Sequence, residues 1–340
     1  MKEDRVIFSS LSGAFGSVLV AGTFPELLKL IPGKTVMHTI ALIIGFVLIA
    51  ESWLSLHGRT GVGVAIFLQP TPASGWSDAR LVERFLATKA CHVSFFYVNV
   101  DELYPGLTGD ARAELTQRVI EARLKEEGGR RSDHISFYLT CGLANAFRLG
   151  QRLFTQQGAQ LHLFEFKEIS VHQVSGSGPN LPLSPLVLEG TLNGPQTTQE
   201  SYQLSSTIHR DTVALFPIGG QSVNRHALII NIANNPSMIT EAQDAARGAQ
   251  NHLGRYAVGP QDLCSSALVY QCLVPEFPND RSAYNALLKD IVQHWIFYLS
   301  AQETVHGYTS EGRLFISAPN SLAFSLGALL PSSTVVIEYI

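Results

Sequence analysis

From Val62 onward, short apolar runs alternate with segments whose apolar residues recur every three or four positions, the pattern of strands alternating with helices. Residues 62–68 form an unbroken apolar run, as expected of a parallel strand covered on both faces. After a loop at 69–76, Ser77 and Asp78 are placed to cap a helix with Leu81, Val82, Phe85 and Leu86 facing in. A strand at 93–100, a loop at 101–108 and a helix at 111–125 follow, the helix with Leu115, Val119 and Ala122 on one side. A strand at 135–140 turns through 141–145 into a helix, and a strand at 160–166 ends this stretch. The plan then starts again. The pattern predicts a strand at 227–232, a loop at 233–237, and a helix lined by Ile239, Ala242, Ala246, Ala249 and Leu253. Next come a strand at 266–273, a loop at 274–281, and a helix at 282–299 buried by Leu287, Ile291, Val292 and Trp295. A buried strand at 314–317 leads through the turn 318–321 into a helix with Leu322, Leu326 and Leu329 on one face, and a strand at 334–339 closes the chain.

The recurrence is legible residue by residue. With Gly150 set on Gly327, Ala146-Phe147-Arg148-Leu149-Gly150 faces Ala323-Phe324-Ser325-Leu326-Gly327 without a gap. The strands Leu163-Phe164-Glu165-Phe166 and Val336-Ile337-Glu338-Tyr339 align after four residues are dropped. A repeated strand-turn-helix-strand is a repeated half-domain, and alternating strand and helix predicts an α/β fold of two tandem Rossmann-like halves, parallel, with right-handed crossovers. The halves fall at 58–167 and 226–340. Between them, 168–225 is turn-rich, with strand-like pieces at 186–188 and 212–216, and reads as a connection rather than a third domain.

Residues 1–57 differ in kind. Neither 6–24 nor 35–50 contains a charge, and each approaches the roughly 20 apolar residues that cross a bilayer. Two prolines, a glycine and three charges lie between them, where a turn belongs, so the stretch reads as a transmembrane helical hairpin. A signal peptide or a buried core helix is the alternative; the mixed flank Lys2-Glu3-Asp4-Arg5 and the second apolar run argue against the former. Ser9, Gly13, Ser17 and Ala21 put a small residue at every fourth position, a stripe on which helices pack closely in lipid. His38 and Glu51 sit within or beside the second span, near its ends. Two spans place both ends on one membrane side, and a tether of only 56–61 would transmit rotation of the remaining chain to the spans.

Composition narrows the chemistry. A net charge of −4 on 340 residues shows no general affinity for DNA or RNA, and a charged fraction of only 15% fits a chain that partly meets lipid. Four cysteines, Cys91, Cys141, Cys264 and Cys272, lack metal-ligand spacing and read as buried thiols of a reducing compartment. No dinucleotide fingerprint, phosphate loop, HExxH or nucleophile elbow occurs; His162 and His226 fall in strands as core or edge residues. In such sheets ligands bind beyond the carboxyl ends of strands. The loops there are uncharged and rich in hydroxyls and amides. They offer Gln69, Thr71, Ser74 and Trp76; Thr140, Cys141, Gly142 and Asn145; Asn234, Asn235 and Ser237; and Ser317, Pro319, Asn320 and Ser321. Backbone N–H groups and helix dipoles there suit phosphate, and the amides suit base or sugar edges, although the same residues also serve as turn and cap formers. Tyr104, Trp76, Tyr256 and Tyr308 are aromatic candidates for stacking.

The run from Gly312 through Arg313-Leu314-Phe315-Ile316-Ser317-Ala318-Pro319-Asn320-Ser321-Leu322-Ala323-Phe324-Ser325-Leu326 to Gly327, followed by the Val-Ile-Glu-Tyr strand, resembles the C-terminal signature of SAVED domains. These are tandem CARF-like sensors of cyclic oligonucleotides in CBASS antiphage and CRISPR systems. The resemblance is strongest over 227–340 and is supported by the repeat over 62–167. A hairpin before such a sensor is similar to the two-helix transmembrane SAVED effectors. The resemblance implies two CARF-like halves with a cyclic di- or trinucleotide, made by a partner cyclic nucleotide synthase, bound between them. It further implies no cofactor or metal, self-association into an oligomer or filament, and disruption of the bacterial inner membrane with the sensor in the cytoplasm. The chain itself would then catalyse nothing. Two rivals remain open: a membrane-anchored nuclease of cyclic oligonucleotides, for which the loops offer only Asp101 and Glu102 as acids, and a non-catalytic membrane scaffold.

Overall fold

The computed structural model describes residues 43–49, 61–68, 92, 94–127, 134–153, 160–166, 183–188, 204–217, 223–249, 255–278 and 281–339. The chain divides into two compact units, Met1–Gly61 with Ala90–Val93, and Val62–Lys89 with Ser94–Ile340. In the first, residues 43–49 are helical, and Ile43, Ile44, Phe46 and Val47 are 48–57% exposed. The spans expected at 6–24 and 35–50, the small-residue stripe Ser9, Gly13, Ser17 and Ala21, and His38 and Glu51 otherwise lie outside the described residues. Among the described residues no helix is long and apolar enough to cross a membrane.

The second unit holds two five-stranded sheets. The first takes β1 (Val62–Leu68), β2 (Ser94–Val98), β3 (His134–Cys141), β4 (Gln160–Phe166) and β5 (Leu183–Leu188), in the order β2-β1-β3-β4-β5. The second takes β6 (Ile208–Ala214), β7 (Arg225–Asn231), β8 (Ser266–Cys272), β9 (Glu311–Ser317) and β10 (Thr334–Val336), in the order β10-β9-β7-β8-β6. Read from the other edge, β8-β7-β9-β10 repeats β2-β1-β3-β4, with parallel pairing throughout. The repeat seen in the sequence is therefore a repeat of topology.

The expectation of wholly parallel halves needs correction. β5 pairs antiparallel with β4, and β6 pairs antiparallel with β8, so both sheets are mixed. Both edge strands come from the connection between the halves, which gives one strand to each sheet. The physical reason is that an edge needs only one hydrogen-bonded neighbour and one packed face, which a short, partly polar segment can satisfy. β6 fits that description: of its side chains only Ile208 is buried.

Among the described residues of this unit the helices of ten or more residues are α1 (Gly109–Glu127), α2 (Leu143–Leu153), α3 (Met238–Arg247), α4 (Arg281–His306) and α5 (Asn320–Leu329). The helix expected after Ser77 and Asp78 lies outside the described residues. The strands bury both faces by simple alternation. Leu228 and Ile230 of β7 join a core shared by both halves with α1, α2, α4 and α5, while Ala227 and Ile229 face Met238, Ala242 and Ala246 of α3. On α1 the buried stripe is Ala113, Thr116 and Ile120; Leu115 and Val119 are only half-buried and Ala122 is exposed. The helix begins at Gly109, whose φ of +54° sets its entry, and the polar Thr116 hides in the stripe because its hydroxyl donates to Arg112 O at 2.8 Å. α3 ends earlier than its apolar spacing predicts. Gly248, at φ 79°, caps it in the left-handed conformation, so Ala249 lies beyond the helix and Leu253 outside the described residues. The last strand also stops early: β10 ends at Val336, and Tyr339 forms an isolated bridge with Tyr256.

α2 and α5, the helices after β3 and β9, pack directly on one another. A Cβ on Gly150 would overlap the carbonyl of Phe324, lying 2.8 Å from its carbon and 3.1 Å from Ala328 N. A Cβ on Gly327 would meet the Phe147 carbonyl carbon and Gln151 N at the same two distances. The pairs are repeat equivalents, so the contact is reciprocal, the arrangement of a two-fold interface within a single chain. Only glycine at both positions lets the backbones approach so closely. The Phe324 ring then reaches β3 of the other half, 5.6 Å from the Phe137 ring.

Candidate functional site

The strand order decides where a ligand can enter. From β1 the chain moves to β2 on one side, while β3 lies on the other and continues to β4. The carboxyl ends of β1 and β3 therefore meet at a switch point, where sheets of this order place ligands; the chain leaving β1 lies outside the described residues. β7 and β9 form the equivalent pair. Register confirms the equivalence, because Phe67 pairs with Thr140 at the first switch point and Asn231 with Ser317 at the second.

At the second switch point the loop after β7 is tightly built. Asn231, 1% exposed, donates from Nδ2 to Asn235 O at 2.7 Å and accepts from the Asn235 N–H at Oδ1, 3.0 Å away. The N–H groups of Ile232 and Ala233 both donate to Ser317 O, at 2.8 and 3.0 Å, fastening the end of β7 to that of β9. Asn234 adopts a positive φ of 53°, a left-handed conformation that asparagine tolerates, and is exposed, its Nδ2 donating to Val274 O at 3.4 Å. Asn235 Oδ1 accepts from the N–H and hydroxyl of Ser237, both at 3.3 Å.

The cap interpretation of these residues is testable on the geometry. Ser237 precedes α3 but its side chain makes no cap hydrogen bond; its hydroxyl is turned to Asn235 instead. Pro319 precedes α5 and has no side-chain donor or acceptor to offer. In α2 the Ala146 N–H donates to Gly142 O at 3.0 Å, which places a glycine, without a side chain, at the same position. No side chain in the cap position thus covers the first turn of α2, α3 or α5, where N–H groups lack intrahelical acceptors and the helix dipole is positive. Such ends accept anionic groups.

The remaining predicted positions are distributed as follows. Thr140, Cys141, Asn145 and Ser321 are buried, while Gly142, Ser317, Pro319 and Asn320 are half-buried at the surface. Gln69, Thr71, Ser74 and Trp76 lie outside the described residues. Of the aromatic candidates, Tyr104 and Tyr308 are exposed, whereas Tyr256 is buried edge-on between Phe315 and Tyr339 and is closed to stacking from solvent. Asp101 pairs with Arg112 at 3.1 Å, and Glu102 accepts from Asn99 Nδ2 at 2.9 Å. His226 is buried, its Nδ1 2.7 Å from Ser266 Oγ. Among the described residues no group of three or more His, Cys, Asp or Glu could hold a metal ion.

Two buried polar residues of the second sheet, one at the site and one at the opposite end, give no periodic signal in the sequence. The apolar strand expected at 227–232 absorbs Asn231, although a lone amide ending the run Ala-Leu-Ile-Ile is a usable signal. At the amino end of β9, Arg313, 7% exposed, donates from Nε to Asp262 Oδ1 at 2.9 Å, from Nη1 to Gly312 O at 3.0 Å, and from Nη2 to Gln261 O at 3.0 Å and Glu311 Oε2 at 3.1 Å.

No family model matches the chain, and no curated protein matches its sequence. Among solved structures it is similar to the Acinetobacter baumannii Cap4 SAVED/CARF-domain containing receptor with the cyclic trinucleotide 3'3'3'-cAAA, at 10% identity and a TM-score of 0.45 over 89% of this chain and 56% of that one. It is similar to the same receptor with 2'3'3'-cAAA at 11% identity and a TM-score of 0.44, with the same coverage. The receptor itself gives 11% identity and a TM-score of 0.40, covering 89% and 54%. The chain spans a little over half the length of these receptors.

Proposed function

We propose that this chain is a sensor of a cyclic oligonucleotide second messenger, and that it is an antiphage effector acting on the inner membrane. The observation that carries the reading is the reciprocal glycine contact of α2 and α5, which joins two repeats of one topology through the helices that follow their switch points. A ring of repeated nucleotides suits two related half-sites joined in this way. Uncharged loops, helix starts without side-chain caps, the exposed amide of Asn234 and the half-buried amide of Asn235 suit phosphates and base edges. The SAVED-like signature over 312–327 supports the same ligand class.

The chain itself catalyses nothing on this reading. Its loop acids support that, since Asp101 and Glu102 are engaged with Arg112 and Asn99. The helical stretch 43–49, with every described bulky residue from Ile43 to Val47 exposed, supports a lipid-facing anchor, since water penalises such a surface and acyl chains do not. Ligand binding then favours a self-associated state in which clustered anchors disrupt the bilayer, by as much as the ligand's affinity differs between the two states.

A vesicle assay tests the reading. The 340-residue chain in dye-loaded anionic vesicles should release dye on addition of a cyclic trinucleotide. A chain lacking 1–56 should retain binding and lose release. Release without ligand, or release unaffected by the truncation, contradicts it.

A further inference from the structure

We infer that the C-terminal residues Ile337, Glu338 and Tyr339 form a strap that couples α2 to α3, so that a displacement of one site loop is felt at the other. The link to ligand rests on the reading above; the coupling rests on geometry alone. Glu338 pairs with Arg148 of α2, which also approaches Asp110 of α1 at 3.6 Å. Gln151 Nε2 of α2 donates to Thr334 O at 3.1 Å, just ahead of the strap. On the other side, the Tyr339 hydroxyl accepts from Arg255 Nη1 at 3.3 Å, and the same Nη1 donates to Glu241 Oε1 of α3 at 2.6 Å. α2 begins at the loop after β3 and α3 at the loop after β7. The path therefore starts at one candidate half-site and ends at the other.

Two features make the path stiff. The strap backbone is pinned on both sides, with Ile337 N–H donating to Leu314 O at 2.8 Å and Glu338 O accepting from Ala257 N–H at 2.9 Å. The Tyr339 ring also packs edge-on against Tyr256 at 5.1 Å. Glu241 is 6% exposed, and among the described residues its Oε2 accepts no hydrogen bond and Arg255 is the cation paired with this buried carboxylate. A buried charge with one partner holds that partner firmly. The path also breaks the internal symmetry: the repeat equivalent of Arg148 is Ser325, whose hydroxyl donates within its own helix to Ser321 O at 2.7 Å.

Hydrogen exchange on the ligand-free 340-residue chain tests this. Arg148→Met should speed exchange of the Glu241 amide, which donates to Ser237 O in α3, about tenfold, while β3 and β9 amides keep their rates. Glu338→Gln, which preserves size, should do the same, and Glu241→Gln should in turn speed the Ala146 amide of α2. A merely structural role would accelerate all amides together or only those beside the substituted residue; a change at Glu241 of less than twofold overturns the coupling. Adding a cyclic trinucleotide separates the two ideas. If coupling is present but neither loop gains protection with ligand, the function reading fails and the strap stands. If both loops gain protection but the variants leave remote amides unchanged, the strap fails and the function reading stands.

Discussion

Asn231 shows how much a single buried amide can decide. Its carboxamide satisfies both the N–H and the C=O of Asn235, so Asn231→Ala strands two backbone groups and frees the loop carrying Asn234. We expect a loss of about 2 kcal/mol in urea unfolding and a weaker affinity for ligand than that drop in stability alone would cause. Arg313 makes the complementary case at the opposite end of the sheet. Arg313→Met leaves the buried Asp262 carboxylate without its charge partner, although Gly259 N–H and Gln261 Nε2 still donate to it, and should cost about 3 kcal/mol, read as a lower urea midpoint. Cys264 offers a pH test. Burial pushes its thiol from an ordinary 9.0 up to about 12, so the folded state holds the proton more tightly than the unfolded one. Its contribution to stability is complete below pH 9 and is lost as pH rises towards 12. The buried phenols of Tyr256 and Tyr270 shift upward as well, so the difference between the parent and Cys264→Ser, followed by urea midpoints from pH 8 to 11, isolates the thiol. At this scale the sequence was least informative: Asn231 and Arg313 sit in apolar runs, and a polar residue's partners, brought together from distant segments, leave no local pattern.

Elements were far more legible, because their signals are periodic and local. The strand cores of β1, β3, β4, β7 and β8 and the helices α2 and α5 lie where alternation and 3.6-residue spacing put them. Misplaced boundaries have one local and one tertiary cause: left-handed Gly248 ends α3 inside an apolar stripe, and the strand after Val336 gives way to the bridge at Tyr339. The glycines at 150 and 327 were visible as an alignment, yet not as a contact, since sequence identity between repeats does not state which surfaces meet. Their contact makes a sharp prediction. Gly150→Ala or Gly327→Ala forces the helices apart and should cost about 3 kcal/mol each in denaturant unfolding. The double variant should cost clearly less than the sum, because helices already separated by one Cβ can accommodate the second. Additive losses would mean that each glycine acts within its own helix.

For the whole molecule, the repeat gave the architecture but not its edges. The segment between the halves reads as mere connection because its strands are interrupted by polar residues and a proline, and edge strands are where such residues are tolerated. On the proposed function, two half-sites joined by the α2–α5 contact and the strap would act as one receptor rather than two. Calorimetric titration of the 340-residue chain with a panel of cyclic di- and trinucleotides tests that most directly. The account predicts saturable binding of one ring per chain for at least one member, weakened by Asn231→Ala. Absence of binding across the panel, or two equal and independent sites per chain, would contradict it.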